Sequence, residues 1–257
     1  MRELLEATFR WGHVIAGVLW IGLLYFFNWV NGPFAKTLDG ETKPKVVPEL
    51  LPRALYFFRW GAAYTWLTGL LLLGMVYYMG GGLMSEDIAN RGLATGACVA
   101  AMFIGAVIYD LLWKSPLGKN AMAAVVVSFL LLAAVEAGLA MCAHVSGRAL
   151  FIHVGALFGT AMAMNVWMRI WPAQRKIIGA IKNGEAPDGA LVALAGLRSK
   201  HNTYMSVPLL LIMVSNHYPG LYGSDMGWMI LLGIVALGWF VTSLIYKKST
   251  SAAPTAF

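Results

Sequence analysis

Seven apolar stretches alternate with shorter polar segments along the chain. A helix needs about 20 mostly apolar residues to cross a bilayer, and each stretch meets or approaches that length. Pro208 interrupts the sixth stretch, but proline is tolerated in membrane helices where neighbouring groups satisfy the freed carbonyl. We predict an all-α, polytopic membrane helix bundle with about seven transmembrane helices. The predicted spans are 9–31, 54–80, 92–113, 120–142, 149–171, 202–218 and 225–246.

One longer connection, residues 172–201, has its own apolar pattern. Pro172 opens a basic stretch with Ile177, Ile178 and Ile181 on one side, which favours an interfacial helix on an anionic membrane surface. Asp188 is the predicted N-cap of a second short helix. We expect a single transmembrane domain over residues 1–248 and a disordered tail over 249–257.

The composition supports a membrane location. Of the 257 residues, 59% are apolar and only 12% are charged, which leaves too little polar surface for a soluble fold. The net charge of +7 would also fit a nucleic-acid-binding protein, so the distribution of the basic residues decides between the two. With seven spans, 14 of the 19 Lys and Arg residues fall on one side and four on the other, with Arg59 at the membrane edge. The positive-inside rule then places the N-terminus outside and the C-terminus in the cytoplasm.

Two cysteines, Cys98 and Cys142, are too few for a disulfide framework. We expect both thiols to pack as small apolar groups. The sequence contains no CxxCH, so no c-type haem is attached to this chain.

The histidines are the main candidates for chemistry. His13, His144, His153 and His217 lie near one predicted depth on the outer side, and His201 lies at the inner boundary. Imidazole is the usual axial ligand of a haem held between helices, and Gly17 shares a helix face with His13 and would leave room for a porphyrin. Zinc or copper is the lesser alternative because no HxxxH or HExxH is present. Interfacial histidines that merely bond headgroups or loop carbonyls remain the other alternative.

Polar residues inside the predicted spans are further candidates, because each is costly in a bilayer. Glu136 lies in the outer half of the fourth span, where it either relays protons near a redox centre or hydrogen-bonds a neighbouring helix. The sixth span is polar at both ends, with Asn202 and Tyr204 at one end and Asn216 at the other. This pattern indicates a helix that lines a site.

Four motifs carry a resemblance to a known family. They are RWGHVIAGVLWIG at 10–22, RWGAAYTWLTG at 59–69, FIHVGALFGTAMAMNVWMRIWPAQRK at 151–176 and KHNTYMSVPLLLIMVSNHYP at 200–219. These segments resemble the urate oxidase N-terminal domain family, the membrane part of a bacterial cytochrome-c-linked urate oxidase. Transferred by position, the motif residues of interest are His13, His153, His201, His217, Asn165, Asn202, Asn216 and Tyr204.

The resemblance implies a haem b oxidoreductase of the bacterial inner membrane that oxidises a urate-like substrate. Its electrons would pass through haem to a separate c-type cytochrome, because this chain resembles a stand-alone form without the cytochrome domain. His13 and His153 are the first choices as axial ligands, followed by His217, and His201 would hold a second haem if there are two. A non-catalytic haem subunit that exchanges electrons with quinone is the alternative, followed by a haem or copper transport or assembly protein.

Overall fold

The computed structural model describes residues 1–82 and 91–251. Helices make up 87% of these residues, and no β-strand occurs among them. We number seven helices in chain order and leave two 3₁₀ turns and the one-turn helix Pro219–Tyr222 unnumbered. They are α1 (Arg2–Phe34), α2 (Lys43–Tyr78), α3 (Arg91–Leu112), α4 (Ala121–Cys142), α5 (Gly147–Lys182), α6 (Gly189–Val214) and α7 (Gly227–Ser251).

Six of these helices, all except α6, are long and apolar enough to cross a membrane. They coincide with six of the seven predicted spans, so the all-helical class is confirmed, and six helices could cross a membrane by their length and composition. The remaining predicted span, 202–218, falls on the end of α6 and on the 3₁₀ turn Ser215–His217. The helix begins just after Asp188, whose carboxylate accepts a hydrogen bond from the Ala190 N–H at 2.8 Å. The predicted cap is confirmed, but the helix that it starts continues for 26 residues instead of ending early.

Wide π-helical turns interrupt α1 and α5 and end α2 and α4. The turns Phe26–Asn31 in α1 and Val166–Ile170 in α5 each end two residues before a proline, Pro33 and Pro172. In a regular α-helix, a proline ring clashes with the carbonyl four residues earlier. The wider turn loosens the helix at that point, so α5 passes Pro172 without the predicted break.

The chain forms two compact units. Unit 1 comprises residues 1–68, 162–207 and 238–257. Its core includes Val47 of α2, Ile177 and Ile181 of α5, and Ala195 of α6. The isoleucines predicted to face a membrane surface are therefore buried against other helices, because α2 and α6 extend beyond the predicted spans and cover them.

Unit 2 comprises residues 69–161 and 208–237. A Cβ atom at Gly155 would lie 2.6 Å from the Met213 methyl group and 2.9 Å from Ile212 Cγ2. This glycine therefore permits close packing of α5 on the end of α6. A Cβ at Gly159 would have no neighbour within 4 Å.

The predictions for the two cysteines and for the C-terminal tail have different outcomes. Cys98 is buried on α3, as predicted, but Cys142 is exposed at the end of α4, so the prediction is wrong for that thiol. Helix α7 continues to Ser251 and includes the first three residues of the predicted tail. Residues 252–257 lie outside the described residues.

Candidate functional site

His153 is the most deeply buried histidine in the part of the chain that the structure describes. It lies on α5 in unit 2 with 1% of its surface exposed. Its Nδ1 lies 2.7 Å from the Ala149 carbonyl oxygen, which can only accept, so Nδ1 carries the proton. Nε2 therefore has the lone pair, and the Tyr78 hydroxyl donates to it at 3.0 Å. The neighbouring groups thus select one neutral tautomer of this imidazole.

A polar network extends from His153 within unit 2. The ring of Tyr77 meets the imidazole edge to face at a centroid distance of 5.7 Å. The Tyr77 hydroxyl donates to Asn216 Oδ1 at 3.3 Å, and Arg148 Nε donates to the same oxygen at 3.1 Å. Asn216 is the predicted residue that the fold brings into this network, in which Tyr77 contacts both Asn216 and His153.

Two other predicted histidines of unit 2 are exposed. His217 follows Asn216 but is exposed. His144 is also exposed, in the turn before α5, and has a left-handed backbone with φ of 49°. The sequence placed both at the depth of His153 but could not distinguish their exposure.

Glu136 is fully buried on α4 in unit 2. Neither carboxyl oxygen has a hydrogen-bond partner among the described residues. The alternative of a carboxyl bonded to a neighbouring helix therefore finds no support in that part of the chain. An ionised carboxylate without a partner is very costly to bury, so the neutral acid is the stable form.

In unit 1, His13 has a similar arrangement of its ring nitrogens. The Thr68 hydroxyl donates to the Tyr64 carbonyl at 2.6 Å, so its oxygen accepts the Nδ1 proton of His13 at 3.1 Å. Nε2 of His13 then has the lone pair. The predicted room beside Gly17 is modest, because a Cβ at this glycine would meet the Thr65 methyl group at 3.8 Å.

The predicted polar residues of α5 and α6 form a buried amide pair in unit 1. Asn165 Nδ2 donates to Asn202 Oδ1 at 2.8 Å, and Asn202 Nδ2 donates to the Met162 carbonyl at 3.0 Å. Both side chains are buried. A satisfied amide pair of this kind fixes two helices against each other and does not require a ligand.

Tyr204 and His201 lie on α6 in unit 1. The ring of Tyr204 stacks on Tyr246 at 5.8 Å, and the Lys200 ammonium group lies over both rings. His201 is half-buried on the same helix.

Within residues 1–82 and 91–251, no three His, Cys, Asp or Glu side chains gather as a bound metal ion would require. A site for a small ion such as zinc is thus not seen in the described residues. Haem needs only one or two axial side chains, so this finding does not bear on it. Sequence reasoning missed three members of the unit 2 network, Tyr77, Tyr78 and Arg148. Nothing in the sequence distinguishes the two tyrosines from ordinary interface tyrosines, whereas an arginine at the start of the most buried of the apolar helices was a signal.

These features define a class of protein, a helical bundle able to span a membrane, with buried polar and histidine sites inside its helices. Comparison with family models identifies the particular family. The model for Urate oxidase N-terminal matches residues 1–256, and the chain belongs to this family. Comparisons with curated proteins and with solved structures give no match.

Proposed function

We propose that this chain is a haem b-containing membrane oxidoreductase that oxidises a small urate-like substrate and delivers the electrons to a separate cytochrome c. Membership of the urate oxidase N-terminal family supports the substrate class. The observation that carries the proposal is the buried imidazole of His153, whose tautomer is fixed by the Ala149 carbonyl.

The donor set fits haem. Metal-ligating histidines usually bind through one ring nitrogen while the other donates to a carbonyl or a similar acceptor. His153 and His13 both have this arrangement, with Nδ1 engaged and the lone pair on Nε2. At His153, the Tyr78 hydroxyl holds the position that an iron ligand would need, so binding requires this phenol to move aside.

When bound, haem b supplies a one-electron carrier whose potential the axial ligands and their hydrogen bonds adjust. The remaining roles belong to side chains of this chain. Glu136 holds a proton in the interior of unit 2 and is suited to release or accept one when the charge nearby changes. Asn216 positions a substrate at the solvent end of the network that leads to His153.

We further propose that α6 is a seventh span, that the N-terminus lies outside, and that the protein is a multi-pass protein of the bacterial inner membrane. The asymmetric distribution of 14 against four basic residues supports this orientation. Pro208 lies within α6, and the side chains on the buried face, Thr203 and Ser206, bond to helix carbonyls.

Spectroscopy of the purified protein tests the haem. We expect a reduced-minus-oxidised b-type spectrum that is abolished or strongly changed by His153→Ala and by His13→Ala. The matched control is His144→Ala, which replaces an exposed histidine of the same predicted outer side. A wild-type spectrum in both variants would show that the ligand assignment is wrong. One haem per chain in a pyridine haemochrome assay would reject a second haem at His201.

Stopped-flow mixing tests the reaction. We expect urate to reduce the haem, and the reduced protein to pass electrons to added oxidised cytochrome c. Rapid oxidation by a quinone analogue, without transfer to cytochrome c and without reduction by urate, would instead support a non-catalytic subunit of a respiratory complex.

A further inference from the structure

Arg148 connects the exposed surface of unit 2 to its buried polar network. Its side chain is exposed, yet Nε donates to Asn216 at 3.1 Å and the guanidinium carbon lies 5.9 Å from the centre of the Tyr77 ring. No described residue accepts a hydrogen bond from its two terminal nitrogens or forms an ion pair with it. The first turn of α5 contains no acidic residue. As far as the described residues go, the outer edge of the guanidinium group is therefore open to a ligand.

The contacts of Asn216 fix the orientation of its amide. Arg148 Nε can only donate, so the amide atom that faces it must be the oxygen. The Tyr77 hydroxyl reaches the same oxygen at 3.3 Å. Nδ2 therefore points away from both side chains, and no described residue accepts a hydrogen bond from it. Arg148 and Asn216 together present N–H donors and no acceptor.

We propose that Arg148 and Asn216 form the binding subsite for a planar anionic substrate, a purine anion of the urate type. This inference rests on the proposed function and assigns its substrate-binding residues. Urate is an anion at neutral pH, with carbonyl oxygens and ring nitrogens in one plane. A guanidinium fork binds such a plane through two parallel, charge-assisted hydrogen bonds.

The position of the subsite fits an oxidase. Tyr77 is buried beneath the guanidinium group, and its ring touches the imidazole of His153. A substrate held by Arg148 is thus separated from the buried histidine by one aromatic ring. Neutral purines lack the charge that this subsite selects, so it also discriminates against them.

Equilibrium binding of urate and of the neutral purine hypoxanthine to the full-length protein tests the inference. Because charge-assisted hydrogen bonds are the stronger ones, we expect Arg148→Gln to weaken urate binding about tenfold to a hundredfold. The same variant should bind hypoxanthine as the wild type does, so the preference for the anion disappears. Arg148→Lys keeps the charge without the fork and should lie between the two.

Two further variants separate binding from folding. Arg91→Gln removes a charge from another exposed arginine of unit 2 and should bind urate as the wild type does. Asn216→Asp places a carboxylate beside Arg148, which neutralises the guanidinium group and repels an anion, so this variant should lose urate binding. It therefore tests the subsite independently if Arg148→Gln does not fold. Thermal unfolding of each variant shows whether the fold is retained.

The outcomes distinguish this inference from the proposed function. Urate affinity within twofold of the wild type in folded Arg148→Gln and Asn216→Asp protein would overturn the subsite. A wild-type protein that shows the haem spectrum but binds no urate would also overturn it and leave the haem assignment intact. Urate binding that depends on Arg148 in a protein without haem would support the subsite while refuting the haem.

Discussion

The two ring nitrogens of His153 are both engaged, and this decides how readily the residue can bind a metal. Its Nδ1 contact is to a backbone carbonyl of the preceding helical turn, which mutation cannot easily remove. Its Nε2 contact is to the Tyr78 hydroxyl, a side chain 75 residues away in sequence. Ligation of the proposed haem at His153 would therefore compete with this hydrogen bond from the end of α2.

We expect Tyr78→Phe to bind haem more tightly than the wild type. A typical hydrogen bond contributes about 1 kcal/mol net, so its loss from the apoprotein should lower the haem dissociation constant about fivefold. Haem titration of the apoprotein measures this. Tyr77→Phe is the control, because its hydroxyl bonds Asn216 and not the imidazole. Weaker haem binding by Tyr78→Phe would mean that the phenol supports the site.

Single-residue patterns predicted the polar groups of the site better than they predicted the contacts. Glu136, His153 and Asn202 were selected as costly polar residues in apolar stretches, and all three are buried. The tyrosine beside His153 could not be selected, because tyrosines near helix ends are ordinary membrane-interface residues. Arg148 was interpreted only as part of the charge distribution, since its partners come from distant segments.

At the start of α5, one glycine permits close contact with a neighbouring helical turn. A Cβ at Gly147 would collide with the backbone carbonyl oxygen of Tyr222, in the one-turn helix Pro219–Tyr222. Because a backbone atom cannot rotate away, we expect Gly147→Ala to destabilise the protein by about 1–3 kcal/mol. Thermal unfolding in detergent measures the effect.

Gly96→Ala is the matched control for that substitution. A Cβ at Gly96 of α3 would have no neighbour within 4 Å, so alanine should be neutral or stabilising there. Equal unfolding temperatures for the two variants would show that α5 and the one-turn helix are not held together by this contact.

Asp39 caps the turn that leads into α2, and this cap responds to pH. Asp39 accepts hydrogen bonds from the Glu41 and Thr42 N–H groups at 2.9 and 2.7 Å, and from the Thr42 hydroxyl at 2.9 Å. These bonds favour the carboxylate and lower the pKa of Asp39 below its ordinary value. Its contribution to stability is therefore complete above an unfolded pKa of about 3.9 and is lost as the pH falls through the lower folded pKa.

The Thr42 amide resonance should report this titration by NMR. We expect a midpoint below the ordinary aspartate value in the wild type and no titration in Asp39→Asn. A midpoint at or above the ordinary value would show that the cap does not form in solution.

Hydrophobic patterning located the helices well where a bilayer imposes an apolar length. The predicted spans 92–113 and 120–142 differ from α3 and α4 by one residue at most at each end. Hydrophobic patterning failed where a helix continues beyond its apolar segment. Helix α2 begins at Lys43, 11 residues before the predicted span, because Pro48 and Pro52 lie in a polar stretch that resembles a loop.

The orientation of the whole molecule is the prediction that depends most on the sequence. A cysteine at Asn183, in the exposed turn after α5, should resist an impermeant thiol reagent in intact spheroplasts and react after lysis. A cysteine at Ser224 is the control and should react in both. Both are introduced into a protein without Cys142, because that thiol is itself exposed. Labelling at position 183 in intact spheroplasts would reverse the topology.

The π-helical turns also have a consequence for the length of the chain. Such a turn contains one residue more than the α-helix around it needs, so a deletion there can leave the flanking segments in register. A deletion elsewhere in a helix rotates every later side chain by about 100°. Removing Val30, in the turn Phe26–Asn31, should therefore leave a folded protein, whereas removing Val18, which is also exposed, should not. Natural relatives that differ by one residue within a span should gain or lose it at these turns.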